Sequence, residues 1–171
     1  MKKTSKKRKQ GGHTLIEVVM SIALMGVIAG IFISTIVDGA RTYAFIESQN
    51  EAAVTAKFAL KRLLMDTRNV REIHSADSTN ITFTNAFSED MQFALNSNII
   101  EMSDDGGTNF YPLAENVNTF NLDYYDNLNT LLAKPVANPD DIYAISISLQ
   151  TEKNGIPFPV KGKTYLRIKP K

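Results

Sequence analysis

Residues 11–37 read GGHTLIEVVMSIALMGVIAGIFISTIV, a glycine pair and a single carboxylate leading into an apolar run. From Val18 to Val37, twenty residues carry no charge. At about 1.5 Å rise per residue, a helix of that length matches the ~30 Å hydrocarbon layer of a bilayer. Eleven of the twenty are Val, Ile, Leu or Phe. At roughly −0.3 to −0.6 kcal/mol each, they contribute on the order of −5 kcal/mol to insertion. The stretch predicts a membrane-spanning helix.

Glu17 sits at the mouth of this segment, where a carboxylate loses hydration unless something pairs with it. Two roles are open to it: an ordinary flanking charge at the headgroups, or an intramembrane partner for a cation supplied by another subunit. The order of residues favours the second. A secretory signal carries its small-residue cleavage site after the apolar run, whereas Gly11 and Gly12 precede it here. A cut after Gly12 would leave the helix on the mature chain and create a free amine at His13, four residues from Glu17.

The string KRKQGG followed by HTLIEVVMSIALMGVIAG resembles the class III leader and N-terminal helix of type IV pilins and type II secretion pseudopilins. That resemblance implies a leader spanning residues 1–12, cleaved by prepilin peptidase between Gly12 and His13, with His13 as the methylated N-terminus. It also implies that Glu17 attracts the N-terminal amine of a neighbouring subunit during assembly. Gly26 matches a glycine of the family's assembly helix. His13 stands where the family usually has phenylalanine, and Ser34 where many major subunits carry proline. With no proline before Pro112, nothing breaks the helix strongly, which leans toward a minor subunit.

Of 19 basic residues, six (Lys2, Lys3, Lys6, Lys7, Arg8 and Lys9) precede Gly12, leaving 13 against 18 acidic residues and a formal charge of −5 on the mature chain. A lysine run directly before an apolar span reads as the flank retained in the cytoplasm. It places the C-terminal domain outside the cytoplasm, in the periplasm. A net negative mature chain also argues against a general nucleic-acid surface, which needs Lys and Arg to neutralise phosphates. The chain has no cysteine, so neither disulfides nor thiol chemistry are available.

Beyond Val37 the helical signal continues. Ala53, Ala56, Leu60, Leu63, Thr67 and Val70 recur at spacings of three and four, with Phe58 and Leu64 widening the stripe. A single helix from about Thr14 to about Ile73 would be roughly 90 Å long at 1.5 Å per residue. The alternative is two helices hinged at Asp38-Gly39. The expected organisation is a leader at 1–12, a transmembrane assembly helix at 13–37, its amphipathic continuation at 38–75, and a β-rich domain at 76–171.

From Ser78 the apolar period becomes two. Strands are expected around Ile81–Phe83, Met91–Leu95, Ile100–Met102, Val117–Tyr125 and Ile142–Thr151, with a loop from Asp126 to Asp141. The stretch IPFP, residues 156–159, reads as a connection to a last strand near 164–168. The fold class is α+β, a long helix whose stripe packs on an antiparallel sheet. The order LAENVNTFNLDYYD, loop, DIYAISISLQ also resembles the C-terminal half of J-type minor pseudopilins and W-type minor pilins.

Catalytic constellations are missing from the sequence: no nucleophile elbow, no phosphate-cradling glycine loop, and two histidines, His13 and His74, expected far apart. His74 is expected as a cation near a helix C-terminus. Asp104-Asp105 and Asp140-Asp141 offer oxygens to calcium, but the spacing is not that of a helical calcium loop, and exposed turns are the simpler reading. No enzyme, cofactor or metal is expected. The expected function is a structural subunit, with other pilin-like subunits, prepilin peptidase and the inner-membrane assembly platform as partners. A non-polymerising anchored binding or sensor protein and a competence pseudopilin handling DNA are the rival readings.

Overall fold

The computed structural model describes residues 14–167. The chain divides into two units, one ending at Phe45 and the other beginning at Ile46. Both draw on the same element, α1 (Leu15–Arg68), which is helical through Asp38 and Gly39 without interruption.

In the first unit α1 has no buried face: every described residue from Thr14 to Phe45 is exposed. It is long and apolar enough to cross a membrane. Its hydroxyls turn inward on the helix itself. Ser21 Oγ donates to the Glu17 carbonyl at 2.7 Å, Ser34 Oγ and Thr35 Oγ1 donate to the Ile31 carbonyl at 2.8 and 2.9 Å, and Thr42 Oγ1 donates to the Asp38 carbonyl at 2.8 Å. Polar groups satisfied this way cost little in hydrocarbon, so the outer surface stays effectively apolar.

The second unit joins the rest of α1 to two antiparallel sheets. The first is a meander of β1 (Val70–Ala76), β2 (Asn80–Asn85), β3 (Asp90–Asn96), β4 (Ile99–Ser103) and β5 (Tyr111–Ala114), in that spatial order. The second contains β6 (Val117–Tyr125), β7 (Ala144–Lys153) and β8 (Ile156–Tyr165). The α+β expectation holds, with two sheets where the alternating pattern alone suggested one.

The helix packs through small residues: Ala52, Ala53, Ala56 and Ala59 are buried together with Leu63 and Thr67. Alanine lets the sheet approach closely. Thr151 Oγ1 on β7 reaches the Ala52 carbonyl at 2.8 Å, and Asn154 Nδ2 donates to Ser48 Oγ at 2.8 Å. One hydrophobic cluster holds the unit together. It combines Ala56, Ala59 and Leu63 of α1 with Ile81, Phe83 and Phe93 of the first sheet and Phe120, Leu122, Tyr124, Ile145, Ile147 and Leu149 of the second. The Phe83 and Phe93 rings lie 6.0 Å apart in a tilted arrangement, within the range aromatic pairs prefer. Phe120, Leu122 and Tyr124 of β6 and Ile145, Ile147 and Leu149 of β7 are buried. The opposite face of β7 is also partly covered, since Ser146 is buried.

Several expectations are corrected. The helix stops at Arg68, short of Ile73, so Val70, Ile73 and His74 belong to β1. His74 is therefore no helix-terminal cation: its Nε2 lies 2.7 Å from Thr84 Oγ1 across the β1–β2 ladder and 3.8 Å from the Asp90 carboxylate. Phe58 does not widen the buried stripe and is 66% exposed. IPFP is not a connection but the start of β8, an edge strand, where the missing N–H of Pro157 and Pro159 is tolerated.

Candidate functional site

The candidate site is the N-terminal part of α1. Gly12 and His13, the residues of the expected leader cut, lie outside the described residues, as does the leader itself. The helix begins immediately after Thr14, whose carbonyl accepts the Glu17 N–H at 3.0 Å and the Val18 N–H at 3.3 Å. Glu17 thus occupies the first turn of the helix, where unpaired backbone N–H groups favour a negative charge.

Gly26 and Gly30 are open: a Cβ built on either meets nothing within 4 Å. Nothing inside the chain requires glycine there. Together with Ser21, Ala23 and Ala29 they form a run of small residues on a bare apolar helix, the composition that lets helices approach closely in lipid. Sequence reading singled out Gly26 among them. It missed the back-bonded hydroxyls, whose signal is a Ser or Thr three or four residues after a free carbonyl inside an apolar helix.

The Asp105 carboxylate accepts from the backbone N–H groups of Asn109 and Thr108, from Ser103 Oγ, and from Asn109 Nδ2. The backbone bond from Asn109, then the side chains of Ser103 and Asn109, lower its pKa from 3.8 to about 2. These donors occupy the oxygens that calcium would need, and the segment is a self-closed turn. Among the described residues no group of three or more His, Asp or Glu is placed to hold a metal ion. Lys134 Nζ ties the long loop back to β6 through Asn121 Oδ1, the Leu122 carbonyl and Asp123 Oδ1 at 2.8 to 3.0 Å.

Comparison with known proteins gives one positive result. A family model described as the prokaryotic N-terminal methylation motif matches residues 7–33, covering Lys7, Arg8 and Lys9 of the basic flank, the glycine pair, Glu17 and all but the last four residues of the apolar run. No curated protein matches the chain significantly. From Leu15 onward the motif lies on a helix that is apolar, exposed and long enough to span a bilayer, and the chain from Ile46 forms an α+β unit with its own core. The chain therefore carries the prokaryotic N-terminal methylation motif of pilin-like proteins at residues 7–33, on an exposed helix that is apolar and long enough to cross a membrane.

Proposed function

We propose that this chain is a minor, non-catalytic structural subunit of a type II secretion pseudopilus or type IV pilus. Prepilin peptidase cuts it between Gly12 and His13, and the new amine of His13 is methylated. The subunit waits in the inner membrane with residues 46–171 on the periplasmic side. The assembly platform then moves it into a hetero-oligomeric filament through its N-terminal helix. Glu17 pairs there with the N-terminal amine of a neighbour, and Gly26 gives the neighbouring helix a close approach.

The observation that carries this reading is the register of the motif on the helix. The glycine pair, the carboxylate five residues after Gly12 and the uncharged run occur in one order, and the described residues 14–45 that carry the last two are all exposed. An isolated anchor needs the apolar run alone.

Determining the N-terminus of the mature protein by mass spectrometry tests it. A chain beginning at methylated His13 is expected. An intact leader would instead indicate an anchored protein that does not polymerise, and a cut after Val37 an exported protein released from its span.

A further inference from the structure

The second unit is electrically lopsided. From Glu72 to Ala133, 62 residues contain ten Asp or Glu and not one Lys or Arg. This stretch includes nearly all of the first sheet and β6. The cations concentrate elsewhere: Lys57, Lys61, Arg62 and Arg68 on α1, and Lys161, Lys163 and Arg167 on or after β8, with no carboxylate from Ile156 to Arg167.

Each charge lies beside a free sheet edge. Among the described residues, β8 ends one sheet and β5 the other, and no strand pairs with their outer sides. Between α1 and β8 runs a groove of about 400 Å³, with a floor of Leu60, Leu64 and Met65 and a rim of Lys57, Lys61 and Arg68. No carboxylate lines it. The Lys163 ammonium, which belongs to the same wall, is turned over the Tyr125 ring at 3.6 Å.

The β4–β5 hairpin carries the complementary chemistry. Phe110 and Tyr111 are exposed at the start of β5, Glu101 lies opposite Pro112 in the ladder, and Asp104, Asp105 and Glu115 flank the strand. Its end, Pro112 to Glu115, lies near Glu51 and Thr55, about a third of a turn round α1 from the groove. Lys153 on that side is already paired with Glu51 at 2.9 Å.

From these two surfaces we infer that the Lys57–Lys61–Arg68 groove of one copy receives the Phe110–Glu115 edge of a second copy. The two surfaces differ and face different ways, so the contact is heterologous, the type that builds an open filament when its rotation does not close a ring. Apolar rings meet the Leu60–Leu64–Met65 floor, and carboxylates meet the cationic rim. Charge pairing of this kind sets register and partner choice. The inference rests on the subunit reading above, though not on the subunit being a minor one.

The chain has no cysteine, so introduced thiols report one contact each. Full-length Met65→Cys and Tyr111→Cys proteins, purified in detergent, are mixed and oxidised. A mixed disulfide dimer is expected, at least about fivefold more abundant than any dimer from either variant alone or from a mixture of Met65→Cys with Phe87→Cys, exposed on the β2–β3 turn outside the proposed edge, because random encounter lacks the charge register. Lys61→Glu in the Met65→Cys chain should lower the yield, and Glu115→Lys in the Tyr111→Cys chain should restore it. Equal dimer from Met65→Cys alone, a yield no higher than the Phe87→Cys mixture, or indifference to both charge changes would each overturn the pairing. If the pairing fails while mature chains begin at His13, the subunit reading stands and only the edge contact falls.

Discussion

Tyr124 Oη, carried on β6, donates a 2.8 Å hydrogen bond to the backbone carbonyl of Asp77, which immediately follows β1. This bond, with the Leu122 N–H to Ser78 carbonyl bond at 2.7 Å beside it, stitches the second sheet to the first. The ring is fully buried. Tyr124→Phe keeps the ring and strands the carbonyl, so we expect a loss of about 1–2 kcal/mol in denaturant unfolding with an unchanged slope.

The same phenol gives a pH signature. Burial first, then the charges of Asp77 and Asp123, push its pKa well above the usual 10.0. The folded state therefore favours the neutral form. Its contribution is complete below about pH 10 and is lost as pH rises beyond that, when the unfolded chain ionises first. Tyr124→Phe should remove this part of the alkaline destabilisation, measured by melting temperature between pH 9 and 11.

Gly162 on β8 lies under Leu64 of α1: a Cβ there would stand 2.6 Å from Leu64 Cδ1 and 3.4 Å from Leu60 Cδ1. Gly162→Ala forces Leu64 to shift, and Gly162→Val should cost about 1–3 kcal/mol by overpacking. Combining Gly162→Val with Leu64→Ala should recover part of that loss. Strict additivity in the double-mutant cycle would show that the two side chains do not collide.

Asp105 sets the acid limb. Because its pKa is lowered from 3.8 to about 2, its contribution to stability is present above about pH 4 and is lost as pH falls through about 2. Asp105→Asn should melt earlier at neutral pH and depend less on pH between 4 and 2. Added calcium should leave the wild-type melting temperature unchanged, since loop donors already occupy the carboxylate.

The membrane helix, the fold class and strands β2, β3, β4, β6 and β7 were legible because burial follows period there: an uninterrupted apolar run, or strict alternation. β1 was not, for a physical reason. Its buried residues, Val70, Ile73 and Ala76, are three apart because two register shifts, between Val70 and Glu72 and between Ile73 and Ser75, turn the strand over. A twice-bulged strand following a helix continues the helix's own spacing, so the helix seemed to run to Ile73. β5 and the start of β8 were hidden by Pro112, Pro157 and Pro159, which read as loop signals but sit on edge strands. Phe58 was misread because the stripe that packs is made of alanines, leaving large side chains at its margins exposed. At the candidate site, Glu17 and Gly26 were singled out from the sequence by the motif alone, while the basic groove and the acidic hairpin emerge only when the fold brings distant residues to one edge.

In the proposed assembly, the charge on Glu17 is the point on which polymer growth turns. Glu17→Gln keeps the size and the helix but removes the attraction for a neighbour's amine. Its incorporation into sheared filaments, compared with wild type at equal amounts of processed subunit, measures this most directly. A fall of at least about tenfold is predicted, as expected when one member of a desolvated ion pair is removed. Equal incorporation of the variant, with cleavage after Gly12 unaltered, would contradict it.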